Sequence, residues 1–253
     1  MSLHKMIIEM QRKKIELARI SKCSVQLILS GLSPNSIPSS IIRDIVSSQQ
    51  CDGGFVSNTD TIWNIKLLSF FPEYGDQRKR AMTWLSGKRT ERGFGRSYRD
   101  IPRIPVSGLA FYLNKELCRD IKDLEWLENL WLKEKNSLTY KAAYVLLAFR
   151  ENNYFPSNNT ILEIIDWLEH QQENDGGFSP WKGHPVGSNI YCTALAILGL
   201  SAFPDISKKN VVDKAYSYII RTQLINGIWP YHELEDGGAW GLRAITEYEK
   251  YYK

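Results

Sequence analysis

The feature that most constrains this chain is a turn it writes more than once. Residues 49–55 read Gln-Gln-Cys-Asp-Gly-Gly-Phe, and residues 171–178 read Gln-Gln-Glu-Asn-Asp-Gly-Gly-Phe. Two weaker copies follow the same scheme: Glu-Arg-Gly-Phe, closing at Phe94, and Ile-Asn-Gly-Ile-Trp, closing at Trp229. The closing aromatics Phe55, Phe94, Phe178 and Trp229 are spaced by 39, 84 and 51 residues. The long interval is about two beats, and the missing turn falls in the glycine-free stretch 134–139. A period of 39 to 51 residues is too long for one helix and suits a helix pair.

The flanking segments share one grammar. Before the turn, Ile41, Ile42, Ile45 and Val46 fall on one helical face. So do Ile161, Ile164, Ile165 and Leu168, and again Val211, Val212, Ala215 and Ile219. After the turn come segments apolar nearly all round: TIWNIKLLSFF, VSGLAFYL, YKAAYVLLAF and YCTALAILGL. A helix apolar on every side is buried on every side. Ala, Leu and Gly dominate these runs and β-branched residues are few, which favours helix over strand.

Outer amphipathic helices therefore alternate with inner buried ones. The expected organisation is a single domain over 1–253, with an irregular first hairpin in 1–36 and five repeat-like helix pairs in 37–253. No polar end-capping repeat is written, so the expected architecture is all-α and closed: an (α/α)6 toroid of about six hairpins around a central cavity. An open solenoid is the alternative. In the turns, Gly53–Gly54 and Gly176–Gly177 are expected to supply positive φ. The neighbouring glutamines would bond the last helix carbonyls, and Phe55 and Phe178 would plug the gaps between pairs.

Composition narrows the function classes. Net charge is +4 with no concentrated basic face, so nucleic acid is not an expected partner. Cys23, Cys51, Cys118 and Cys192 lie far apart, which excludes a disulfide framework or a local zinc knuckle and suits a reducing compartment. The first residues are charged throughout and lack a signal-peptide core. The longest apolar run, 190–200, is too short to span a bilayer. A cytoplasmic protein with no integral membrane segment is expected.

The Gln-x(3)-Asp-Gly-Gly-Phe turn followed by a Thr-Ala-Leu-rich helix resembles the repeats of the squalene/oxidosqualene cyclase and protein prenyltransferase β-subunit superfamily. The likeness runs through 171–200, recurs at 49–71, and echoes at 84–113 and 221–245. It implies the toroid fold and an isoprenoid or other apolar ligand in its centre, with a protein partner as a further expectation.

The chemistry that the resemblance implies transfers only in part. Class II terpene cyclases protonate an alkene with the central acid of an Asp-x-Asp-Asp-Thr-Ala motif, which needs a neutral, activated carboxylic acid. Here Asp60–Thr61 match the motif's end, but Ser57 and Thr59 replace two acids. In IYCTAL, similar to the oxidosqualene cyclase motif, Tyr191 stands where the acid would be. The last pair offers HELEDGGAW, whose register puts Asp236 at the acid position with His232, Glu233 and Glu235 beside it. The same cluster also reads as a helix cap with a solvated acidic loop. Protein prenyltransferases use zinc held by an Asp-x-Cys and a later His. Cys192 occupies that His position, but the preceding pair has no Asp or Cys to complete the set, so no metal is expected.

Candidate ligand contacts are the inner-helix residues Trp63, Phe111, Tyr112, Tyr140, Tyr144, Tyr191, Cys192 and Trp240, whose π-faces would steady a carbocation. Core packing explains them too. Arg92, Arg96 and Arg99, within a basic stretch running from Lys88 to Arg103, would hold a diphosphate, or else form a solvated loop. Lys182 and His184 would face the same end. No magnesium-binding Asp-Asp-x-x-Asp, P-loop or dinucleotide motif occurs, and no cofactor is expected. Protonation-initiated cyclisation by Asp236 or Asp60, assisted by Glu233 and His232, is the favoured activity. A binding module without chemistry is the first alternative. The second is a carbohydrate-active (α/α)6 enzyme using two carboxylates.

Overall fold

The computed structural model describes residues 17–97, 99–134, 138–231 and 234–253, with only the backbone of Leu234 and Glu235. Among the described residues there are eleven α-helices and no β-strand. The inner segments are the odd-numbered ones: α1 Leu17–Leu29, α3 Asn58–Leu68, α5 Ile104–Leu113, α7 Thr139–Glu151, α9 Ile190–Ser201 and α11 Leu234–Tyr252, of which α3, α5, α7 and α9 are apolar nearly all round while α1 and α11 each keep a polar face. The amphipathic ones are α2 Ser39–Ser47, α4 Gly75–Gly87, α6 Ile121–Glu134, α8 Thr160–His170 and α10 Lys209–Thr222.

Ring closure follows from the packing. Each odd helix packs on the next, from α1 through α11, and α11 packs back onto α1. An open solenoid has no such last contact. The even helices form an outer layer, with α6 set between α5 and α7 and α10 between α9 and α11. In α9 every residue but Tyr191 is buried, as expected for a helix packed on all sides. In α8 the buried stripe is Ile161, Ile164, Ile165 and Leu168, the face read from the sequence. Since all inner helices run the same way, one end of the ring carries their N-termini and the other their C-termini.

The repeated turn is a latch between hairpins. Gln49 Nε2 donates to Gly53 O at 2.7 Å and to Gln77 O of the next outer helix at 2.9 Å. Gln172 Nε2 does the same with Gly176 O at 2.9 Å and Val211 O at 2.8 Å. The glutamine therefore bonds the turn and the following pair, rather than the helix it ends. Gln171 alone bonds back, to Trp167 O at 3.3 Å. The first glycine of each pair needs positive φ, 98° at Gly53 and 85° at Gly176. The second is needed for close approach instead: a Cβ on Gly54 would sit 2.2 Å from the Trp84 ring.

The three closing phenylalanines are buried and tied to the inner helix that follows, whereas Trp229 donates its Nε1–H back to Ile219 O of the preceding outer helix at 2.6 Å. The N–H of Phe55 donates to Thr61 Oγ1 at 3.1 Å, that of Phe178 to Thr193 Oγ1 at 2.9 Å, and that of Phe94 to Ser107 Oγ at 2.9 Å. The Thr of the sequence's Asp-Thr and Cys-Thr pairs is thus a scaffold residue. It satisfies a buried amide that would otherwise lose a hydrogen bond worth about 1–3 kcal/mol.

Candidate functional site

The N-terminal end of the ring opens into a cavity of about 900 Å³. Its depth is aromatic because four of the six inner helices place a ring near their first or second turn, while α5 contributes Val106 and Leu109. Trp63 comes from α3, Tyr140 and Tyr144 from α7, Tyr191 from α9 and Trp240 from α11. Trp240 stands edge-on to Tyr191 at 5.3 Å between centroids and to Trp63 at 6.5 Å. Tyr191 stacks on Tyr231 at 5.9 Å, lies 5.9 Å from Tyr140, and its hydroxyl meets that of Tyr144 at 3.3 Å. Burial pushes the Tyr144, Tyr191 and Tyr231 phenols up, so at neutral pH the wall presents neutral rings and no phenolate base.

Among the described residues, one carboxyl sits among these rings. Asp236, in the first turn of α11, is 7% exposed and lines the cavity. Its Oδ2 accepts from Lys22 Nζ of α1 at 2.6 Å, and its Oδ1 lies 3.9 Å from Cys23 Sγ. As seen here, Asp236 is a counter-charge to Lys22. The rim of the cavity carries Arg96 and Arg103, the exposed Ile101, and a Lys141–Glu134 ion pair at 2.7 Å. Among the described residues no carboxylate lies within ion-pair distance of Arg96 or Arg103.

The structure gathers some of the sequence candidates and disperses the rest. Trp63, Tyr140, Tyr144, Tyr191, Trp240, Arg96 and Asp236 share the cavity wall. His232 and Glu233 lie outside the described residues, as does the side chain of Glu235. Asp60 is off the wall, which takes Ser57 and Thr59 from that turn instead. It closes the α3 N-cap: Ser57 Oγ donates to Asp60 Oδ2 at 2.7 Å and accepts from Asp60 N at 3.1 Å.

Five other candidates are elsewhere for plain physical reasons. Phe111 is fully buried against Phe94 and under the Arg89 guanidinium, 5.5 Å from its ring, so it is core. Tyr112, one residue on, points to the far end of the ring. Cys192 is buried beside Asn189, and burial pushes its thiol up to about 12, so it is inert. Arg92 is held by Asp120 and Asp123 at 2.9 and 2.8 Å, and Arg99 is not on the cavity wall.

The sequence pattern did not single out Lys22, Tyr231 or Lys141 as site residues, and it placed Arg103 only at the end of the basic stretch. Lys22 belongs to the hairpin that has no glycine turn, so no repeat register locates it. Tyr231 was legible in principle: it follows the last closing aromatic, Trp229, by two residues. No group of three or more metal-ligating side chains occurs among the described residues.

This architecture, a closed ring of α-hairpins with a cavity at the inner N-termini, is that of the terpenoid-cyclase-like α/α toroids. The type II terpene cyclase MstE from Scytonema, in its apo form, is similar with a TM-score of 0.65 at 13% identity, covering 90% of this chain and 86% of that one. A protein from Actinoplanes is similar with a TM-score of 0.61 at 12% identity, over 90% and 87% of the two chains. In sequence, lanosterol synthase of Pneumocystis carinii is 22% identical over 275 residues, or 92% of this chain. The chain spans about a third of that relative's length, 35%. No protein family profile matches the chain. No helix among the described residues is long and apolar enough to cross a membrane.

Proposed function

We propose that the toroid binds an isoprenoid chain in its N-terminal cavity and cyclises it through a carbocation begun by protonation. The observation that carries this reading is one carboxyl, Asp236, set in the wall of an aromatic cage of about 900 Å³. That volume is within the usual range for sites that enclose a small molecule. A proton from Asp236 would add to the terminal alkene, leaving the positive charge on the more substituted carbon. The next double bond would close a ring onto that cation, and loss of a proton would end the sequence. Neutral faces of Trp63, Tyr191 and Trp240 stabilise such a cation without reacting with it. At the rim, Arg96 and Arg103 would meet an anionic head such as a diphosphate. The likeness to a lanosterol synthase and to a type II terpene cyclase supports the same reading.

Lys22 occupies the Asp236 oxygen that would otherwise face a substrate. The 2.6 Å ion pair therefore favours a second reading, in which the cavity holds an isoprenoid without changing it. Purified protein incubated with farnesyl diphosphate, geranylgeranyl diphosphate and squalene, with products resolved by mass spectrometry, separates the two. Cyclised product that disappears in Asp236→Asn while binding persists supports catalysis. Binding with no turnover in either protein supports the holder, and no binding of any of the three overturns both.

A further inference from the structure

The other end of the ring, where the inner helices finish, holds a second cavity of about 180 Å³. Lys66, Arg150, Arg243 and Lys250 line it against Glu151 and Glu247, an excess of two positive charges. Three of these cations stand in the last turns of α3, α7 and α11, where the negative helix end accounts for them.

Arg243 is different. It lies in the middle of α11, is 9% exposed, and is poorly satisfied. Its Nη1 donates to Glu247 Oε2 at 2.5 Å, its Nη2 reaches the Tyr112 hydroxyl only at 3.5 Å, and its Nε has no partner. A guanidinium carries five N–H donors, and buried donors are rarely left unmade. Lys66 adds to the imbalance. Burial pulls its ammonium below the usual lysine range, with Glu151 and Glu116 only partly opposing. Among the described residues neither Lys66 nor Arg150 has a carboxylate within ion-pair distance.

We propose that this pocket is a binding site for a small oxyanion of the phosphate type, gripped by Arg243, Arg150, Lys66 and Lys250 with the Tyr112 hydroxyl as a further donor. The incompletely bonded Arg243 fork suits tetrahedral oxyanions, and the neighbouring cations favour an anion of more than one charge. The pocket is too small for an isoprenoid, so the site is independent of the cavity at the other end and of the function proposed for it.

Calorimetric titration of the full chain with inorganic phosphate, at constant ionic strength and with chloride as the control, tests the assignment. Saturable binding is expected, weakened about tenfold or more in the Lys66→Met/Arg150→Gln double variant, since each residue lost removes a charge-assisted bond. Arg150 is exposed and Lys66 is half-buried with an apolar stem that Met retains, so that variant should melt close to the wild type in chloride. Absence of saturable binding, or equal affinity in the double variant, overturns the proposal. Phosphate affinity that falls in parallel when Arg96 and Arg103 are changed to Gln would also overturn it, by placing the anion at the opposite end.

Discussion

The two ends of the ring carry similar charge and use it differently. Around the N-terminal cavity, Lys22, Arg96, Arg103 and Lys141 face Asp236 and Glu134; at the C-terminal pocket, four cations again face two acids. At the first end both lysines are neutralised locally, and the two arginines stand exposed at the rim. The interior is left to aromatic rings. At the second end the cations converge on a space about a fifth as large, and one of them is buried. The same excess charge thus guards an apolar chamber at one end and fills a polar one at the other. What separates them is which helix turn faces the axis: early turns bring Trp and Tyr, late turns bring Lys and Arg.

Breaking the charge pair at each end should show the contrast most strongly. Arg243→Met leaves Glu247 buried without a partner and should cost about 3–5 kcal/mol in denaturant unfolding. Lys22→Met should cost less, because Lys22 is 26% exposed and water can reach its partner's side of the cavity. A double Arg243→Met/Glu247→Met variant should recover most of the loss. If the two single variants cost the same, the C-terminal pair is not the more deeply buried one.

The next effect concerns ligands. Trp240→Phe should weaken binding of a polyprene, measured by fluorescence titration, while leaving inorganic phosphate binding unchanged. Joint loss of both would mean that the two ends are not independent.

A smaller effect is expected from pH. The Lys66 ammonium is held below the ordinary lysine range by burial, so it loses its proton earlier than a free lysine as pH rises. Phosphate affinity should therefore begin to fall on the alkaline side before any free lysine titrates, and Lys66→Met should remove that early limb. The binding lost is the part present below the lowered pKa. The smallest effect is chemical: iodoacetamide should label exposed Cys51 and spare Cys192, whose thiol is buried and raised to about 12. Labelling of Cys192 at neutral pH would mean that α9 opens readily.

Much of the fold was written locally. The Gln-x(3)-Asp-Gly-Gly-Phe turns and the contrast between half-apolar and wholly apolar segments separate outer from inner helices at residues such as Ile164 and Leu198. Those patterns depend only on helical periodicity and on what φ a glycine permits. The aromatic half of the site was legible for the same reason, since Trp63, Tyr191 and Trp240 fall early in inner helices whose direction the repeat sets.

The charged half was not legible. Asp60 and Asp236 occupy comparable positions in their pairs, yet one is absorbed by Ser57 at its own helix cap while the other meets Lys22 from 214 residues away. Phe111 and Tyr112 are neighbours in sequence, but one helical step of about 100° sends the first into the core and the second to the far pocket. Arg92 and Arg96 are four residues apart, and only the second reaches the cavity, because Asp120 and Asp123 capture the first.

By itself, then, the sequence determined an alternation of helices with latched turns, because short-range sterics and burial decide both. Which side chain pairs with which, and so where each charge is spent, was decided only when α11 closed against α1. Ring closure brings together residues that no local pattern relates.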